Sequence, residues 1–281
     1  MAWREQRISV VLPTYNERDS IRQAILEFVQ TGVVDEVLVV NNNAAPGTSE
    51  EVAAAARQAP AGMVRQIHER RQGYGAAIQR GFREATGDYV IVSEPDGTFL
   101  GRDTFKLLAY AEDFDVVYGS RTAPIFIWRG ANMGSFLRWG NWAVAKLMEF
   151  LFNSTNLTDV GCTMRLVRRD ALARIAPQFT IAGSAFGPEM MLLSLLNGLR
   201  VVQIPVNYLP RVGESSVTGD MRKTVPLGLW MIGVIVRYRL RAWLMPRPPA
   251  HVATAAPSLL SASSARDGHQ DPGRRAGPGT H

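Results

Sequence analysis

Between Arg7 and Glu94 the chain alternates short β-branched runs with stretches of helical periodicity, which leaves little choice of architecture. The runs are "RISVVLP", "DEVLVVN", "GMVRQIH" and "YVIVSE"; between them lie "NERDSIRQAILEFVQTG", "EVAAAARQ" and "GAAIQRGFREATG". This order predicts an α/β fold, a mostly parallel sheet with helices on both faces. The punctuation agrees. Asn16 stands as a possible N-cap of the first helix and Gly32 just past its end. Thr48 and Glu51 have capping-box spacing, and Gly87 closes the third helix. In such sheets ligands gather beyond the carboxyl ends of the strands, where Pro13, Asn41, His68 and Glu94 fall.

The remaining sequence narrows the chemistry. With 281 residues, 46% of them hydrophobic, the chain can bury one large domain. A single cysteine, Cys162, excludes an internal disulfide and a Cys-based zinc site and fits a reducing cytosol. No apolar core follows a basic flank at the start, so no signal peptide is expected. Of the four histidines only His68 lies before the tail, so neither a His metal cluster nor a Ser-His-Asp set can be built. "GYGAAIQRG" has Gly73 and Gly75 but Ile78 where a dinucleotide loop needs its third glycine, and it is no P-loop. The net charge of +6 is scattered around the motifs, which suits a phosphate-rich ligand or acidic lipid surface and not a nucleic acid.

Two later stretches combine apolar and basic residues. Phe136 to Phe152 can form a helix carrying Trp139 and Trp142 among Arg and Lys, either a core helix or one at a membrane interface. Val225 to Val236 is apolar but too short to span a bilayer, and it runs on through Arg237, Arg239, Arg241 and Trp243. It reads as a helix on a cytoplasmic leaflet or docked on the domain, ended by Pro246. The expected organisation is a catalytic domain over 1–210, an acceptor loop with an amphipathic helix over 211–246, and a disordered tail over 247–281 rich in Pro, Ala, Ser and Gly.

The stretch "YVIVSEPDGTF" places two carboxylates, Glu94 and Asp96, just past a buried strand. Their hard oxygens suit Mg²⁺ or Mn²⁺, although a Pro-Asp-Gly turn can stand for nothing more than a turn. Here the sequence resembles glycosyltransferase family 2, and within it polyprenyl-phosphate glycosyltransferases of the dolichyl-phosphate mannose synthase type. The resemblance rests on six blocks in order: "VVLPTYNE", "VLVVNNNAAPGT", "RRQGYGAAIQRGFREATGDYVIVSEPDGTF", "VYGSRT", "LTDVGCTMRLVRRDAL" and "PEMMLLSLLNGLRVVQIPVNYLPRVGESS". It implies a GT-A fold and inverting transfer of a sugar from a nucleoside diphosphate donor. By position, Pro13, Tyr15 and Glu17 would line base and ribose, and Asn42 or its neighbours Asn41 and Asn43 would read the base edge. Arg71 and Gly73 would join the donor site. Asp96 would be the main metal ligand, with Glu94 and Thr98 beside it. Arg121 and Arg165 would face phosphates, Asp159 and Glu189 would line the acceptor side as candidate bases, and Arg211 and Ser215 would belong to the acceptor loop.

The chain departs from the family pattern at three places. Asn41-Asn42-Asn43 replaces the acidic base reader, Glu94 replaces the first Asp of the metal motif, and Ser216 replaces the lysine of the acceptor loop. The resemblance implies a cytoplasmic enzyme, peripheral on the inner face of the cell membrane, moving a sugar to a polyprenyl phosphate or similar lipid. Transfer to a hydroxyl of a glycan or small metabolite is the alternative. A sugar-phosphate nucleotidyltransferase would need a Gly-rich, basic loop where "PTYNERD" stands. A non-catalytic scaffold would bind no donor at all.

Overall fold

The computed structural model describes residues 3–131, 134–154, 156–213 and 221–244. Its strands form a seven-stranded sheet in the order β3-β2-β1-β4-β6-β5-β7. The four runs read from the sequence are β1 (Ile8–Thr14), β2 (Glu36–Asn41), β3 (Val64–His68) and β4 (Tyr89–Val92), joined through α1 (Arg18–Gln30), α2 (Thr48–Ala56) and α3 (Tyr74–Glu84). They pair in parallel. Every residue of β1 and β2 is buried, which is why these strands read as nearly unbroken apolar runs. Alternate side chains of β1 enter two cores. Ile8, Val10 and Leu12 meet Ile21, Ile25 and Phe28 of α1, whereas Val11 meets Ile78 and Phe82 of α3.

The second half of the sheet contains β5 (Val116–Ser120), β6 (Arg165–Arg168) and β7 (Val201–Pro205). β6 runs against both neighbours, and β5 and β7 are parallel. The reversal has a consequence for the site. The first residue of β6, Arg165, stands opposite Val92 at the end of β4, so an arginine begins at the edge where the parallel strands finish. Three helices pack around this half: α4 (Thr104–Ala111), α6 (Arg169–Ile175) and α7 (Phe186–Leu196).

The two Trp-bearing stretches are helices α5 (Ser135–Phe152) and α8 (Met221–Leu244), which contact each other and α7. Each has one docked and one open side. Ala145 and Met148 of α5 and Val234, Ile235 and Tyr238 of α8 are buried, while Phe136, Trp139, Leu229, Trp230, Leu240 and Trp243 are exposed. The sequence offered docking and surface exposure as alternatives; the two faces of each helix do both. No helix among the described residues is long and apolar enough to cross a membrane.

Two helix starts differ from the sequence reading. Glu17, not Asn16, precedes α1, because its Oε2 turns back to accept from the backbone N–H of Tyr15 (2.7 Å) and Asn16 (3.0 Å). Thr48 is the first residue of α2, capped by Gly47 at φ 89°, and its hydroxyl donates to the Ala45 carbonyl. Glu51 reaches across to Arg22 of α1 at 2.7 Å and makes no capping box. Pro246, Ser215, Ser216 and the 247–281 tail lie outside the described residues.

Candidate active site

The turn after β4 is held from two sides. The Ser20 hydroxyl of α1 donates to the Pro95 carbonyl at 2.6 Å, and Asp96 is fully buried. Asp96 Oδ1 accepts from the Thr98 N–H (2.9 Å) and from the Thr98 hydroxyl (2.5 Å). Thr98 therefore orients the carboxylate, and its hydroxyl hydrogen is spent on that oxygen. Asp96 Oδ2 is buried and has no hydrogen-bond partner. It faces Arg211 Nη2 at 2.5 Å, an ion pair without hydrogen-bond direction, and the same nitrogen lies 3.2 Å from Glu94 Oε2. Burial and the adjacent Asp96 carboxylate push the Glu94 pKa up, and Arg211 pulls against them. A buried carboxylate oxygen that has no hydrogen bond and is met by a cation, beside a second carboxylate, fits a divalent cation of the Mg²⁺ or Mn²⁺ kind. Among the described residues no third His, Cys, Asp or Glu joins them, so phosphate and water oxygens would complete the shell.

A cavity of about 770 Å³ opens beside this turn. Its lining includes the polar side chains of Tyr15, Glu17, Asn42, Glu94, Arg121 and Arg165, with Pro13 among them. The same cavity is also lined by apolar side chains, Leu137 and Val144 of α5 and Leu227, Met231 and Ile232 of α8. Among the predicted residues Asn41, Arg71, Gly73, Asp96, Thr98, Asp159 and Glu189 sit behind or beside this surface without lining it.

Arg121 follows β5 and projects into the cavity from a fixed mount. Its Nε and Nη2 donate to Asp159 Oδ2 (2.9 Å) and Oδ1 (3.0 Å), and its backbone N–H donates to Oδ2 at 2.9 Å. Its guanidinium also lies over the Tyr208 ring at 5.2 Å. A Cβ at Gly161 would come within 2.9 Å of Arg121 Nη2, so glycine makes room for the pair. Burial alone would raise the Asp159 pKa, but Arg121 outweighs it and holds the carboxylate below its ordinary range. With Gly161 N–H as a further donor, both Asp159 oxygens are occupied. The structure makes Asp159 the support of Arg121 instead of an exposed base.

Glu189 is also engaged. Its oxygens accept from the Thr180 N–H and hydroxyl, the Ile181 N–H and the Tyr238 hydroxyl of α8 (2.7 Å), and it is fully buried. It ties α7 to α8 and does not contact Arg165 through any of these bonds. Arg165 lines the cavity but donates to the carbonyls of Thr163 (3.1 Å), Cys162 (2.7 Å) and Gly187 (3.4 Å), so its charge is presented by a rigid group.

The base-reading expectation for Asn42 changes in the same way. Its Nδ2 donates to the Glu69 and Arg71 carbonyls at 2.8 Å each, and its Oδ1 accepts from the Gly73 N–H and Gln72 Nε2. An amide with four such bonds has no capacity left for a base edge. Asn41 Oδ1 is taken by the Ala44 N–H. Asn43 Nδ2 donates to Arg70 and Gln72. Gly73 has φ 143°, and a Cβ there would fall 2.3 Å from the Ala182 carbonyl oxygen, so close packing accounts for this glycine. The Arg71 side chain is exposed.

Three supports were not singled out from the sequence. Gln203 of β7 accepts from the Thr158 and Asp159 N–H groups through Oε1 and donates to the Gly119 and Asp159 carbonyls through Nε2, fixing the loop that carries Asp159. A lone polar residue in "VVQIP" was the available signal. Tyr208 and Tyr238 act on residues far away in sequence and gave none. Burial pushes the Cys162 thiol up to about 12, so it is no nucleophile.

The glycosyl transferase family 2 profile matches residues 9–176. The chain belongs to glycosyltransferase family 2. This glycosyltransferase is 27% identical over 251 residues to the undecaprenyl-phosphate mannosyltransferase of Micrococcus luteus, covering 85% of this chain and 99% of that one. It is 28% identical over 237 residues to the dolichyl-phosphate hexose transferase of Haloferax volcanii, covering 83% and 96%. Among solved structures, glucosyl-3-phosphoglycerate synthase of Mycobacterium tuberculosis, in complex with Mn²⁺, uridine diphosphate and glucosyl-3-phosphoglycerate, superposes with a TM-score of 0.59 at 16% identity, over 86% of this chain and 82% of that one. That likeness establishes the GT-A fold.

Proposed function

We propose that this enzyme transfers a sugar, with inversion, from a nucleoside diphosphate sugar to a polyprenyl phosphate or similar lipid phosphate at the cytoplasmic face of a membrane. The observation that carries the reading is the cavity itself. Its lining brings Glu94, Arg121 and Arg165 together with apolar side chains of α5 and α8. A lipid phosphate combines the same two chemistries, an anionic head and an apolar chain.

Glu94 and Asp96 would hold Mg²⁺ or Mn²⁺, which when bound neutralises charge on the leaving diphosphate. Arg121, locked by Asp159, supplies a preorganised positive charge to the same space, and Arg165 supplies a second. Pro13, Tyr15 and Glu17, which line the cavity, would contact the donor nucleoside. A hydroxyl acceptor needs a carboxylate to take its proton. A phosphate acceptor is already anionic, and Asp159 and Glu189 are both committed to other bonds, which favours the phosphate. The names of the Micrococcus luteus and Haloferax volcanii relatives point the same way. The exposed Trp139, Trp230 and Trp243, with exposed Arg237 and Arg241, suit an interface rich in anionic headgroups.

The test incubates the purified chain with Mn²⁺, a panel of uridine and guanosine diphosphate sugars, and either undecaprenyl phosphate in detergent or soluble hydroxyl acceptors. Lipid-linked sugar is the expected product. Transfer to a soluble hydroxyl with none to the lipid would overturn the acceptor assignment.

A further inference from the structure

We propose that Arg211 is a stand-in cation for the metal site: a positioning residue that holds Glu94 and Asp96 together and gives way when a divalent metal binds. The inference rests on the reading of those two carboxylates as metal ligands. One nitrogen, Arg211 Nη2, serves both, at 2.5 Å from Asp96 Oδ2 and 3.2 Å from Glu94 Oε2. Asp96 Oδ2 is the oxygen with no hydrogen bond of its own. Two neighbouring carboxylates in a buried turn repel unless a cation lies between them, and the guanidinium fills that place.

Backbone contacts put it there. The Leu209 N–H donates to the Thr98 carbonyl (2.9 Å) and the Val212 N–H to the Asp96 carbonyl (2.8 Å), so the chain after β7 is laid along the turn on both sides of Arg211. Gly97, at φ 80°, allows the approach; a Cβ there would stand 3.2 Å from Val212 Cγ2. A metal ligated at roughly 2.1 Å by the same oxygens would sit within a few ångströms of the guanidinium, and two cations that close exclude each other. Metal binding and the Arg211 contacts therefore compete, and Arg211 sets how strongly the donor-free enzyme takes up metal.

The experiment uses the full chain and Mn²⁺ alone, with no donor. Calorimetry should show Mn²⁺ binding about tenfold tighter or more in Arg211→Ala than in the wild type, equivalent to roughly 1.4 kcal/mol or more. Arg211→Lys, which keeps the charge, should stay near the wild type, and Asp96→Asn should lose binding. In the wild type, phenylglyoxal modification of Arg211, followed by mass spectrometry, should speed up when Mn²⁺ is added; this arm does not depend on a variant folding. Unchanged or weaker Mn²⁺ affinity in a folded Arg211→Ala protein, or Arg211 reactivity indifferent to saturating Mn²⁺, overturns the inference while leaving the metal site standing. Mn²⁺ binding to neither the wild type nor Arg211→Ala removes the metal reading and this inference together.

Discussion

Replacing Asp159 by Asn separates a supporting carboxylate from a catalytic base. In the wild type the two Asp159 oxygens accept Arg121 Nε, Nη2 and N–H and the Gly161 N–H, all within 3.0 Å. An asparagine keeps the shape but turns one acceptor into a donor, so at least one of these N–H groups faces another N–H. Breaking a buried pair from one side costs about 3–5 kcal/mol. Arg121 keeps a small opening to the cavity, with 11% of its side chain exposed, so the lower end applies, about 3 kcal/mol. For a chain of this size that lowers the thermal midpoint by roughly 6–12 °C. Urea unfolding and a thermal melt give the stability, and Mn²⁺-dependent donor affinity reports the Arg121 position. The variant should lose both stability and donor affinity. Adding Arg121→Met should recover part of the stability, because the uncompensated charge is gone. A variant with native stability and donor affinity but a thousandfold lower turnover would instead restore Asp159 as the base.

Further outcomes follow from other contacts. Glu36 is buried yet its pKa is lowered: burial pushes it up, but Ser9, Thr86 and Arg65 donors outweigh burial. Its contribution is present above the ordinary carboxylate pKa and is lost as pH falls through the lower folded value, so Glu36→Gln should cost about 1–3 kcal/mol at pH 7 and the gap to wild type should narrow toward pH 3 in urea titrations. Gly73→Ala should destabilise the fold by about 2 kcal/mol or more, since it meets both a positive φ and the Ala182 carbonyl; native stability would contradict the packing account. Replacing Trp139, Trp230 or Trp243 by Ser should weaken binding to anionic vesicles by about tenfold each in sedimentation assays, with the fold intact. Equal binding by the triple variant would remove α5 and α8 as the membrane face.

In the first half of the sheet β1 and β2 were legible because they are buried on both faces and leave nearly unbroken apolar runs, whereas β3, with no fully buried residue, was legible from its place between two helical stretches; α5 and α8 were legible from their length. The strands β5, β6 and β7 were not. "RLVR" carries two arginines, and nothing local in it shows that it inserts antiparallel between β4 and β5. The site was legible as a set of positions, not as a set of bonds. Asn42, Asp159 and Glu189 were placed near the strand ends or acceptor side, but what consumes their hydrogen-bonding capacity comes from residues distant in sequence. Tyr238 lies 49 positions from Glu189, and Arg211 117 from Glu94. Side-chain chemistry showed which groups could act; only the packing shows which remain free to do so.

The most direct measurement is mass spectrometry of lipid extracts after incubating wild-type and Asp96→Ala enzyme with Mn²⁺, the donor panel and undecaprenyl phosphate. The wild type should give a sugar-linked undecaprenyl phosphate, and none should form when the metal is chelated or with folded Asp96→Ala. Near-native product from Asp96→Ala, or product unaffected by chelation, would rule out the metal-dependent transfer.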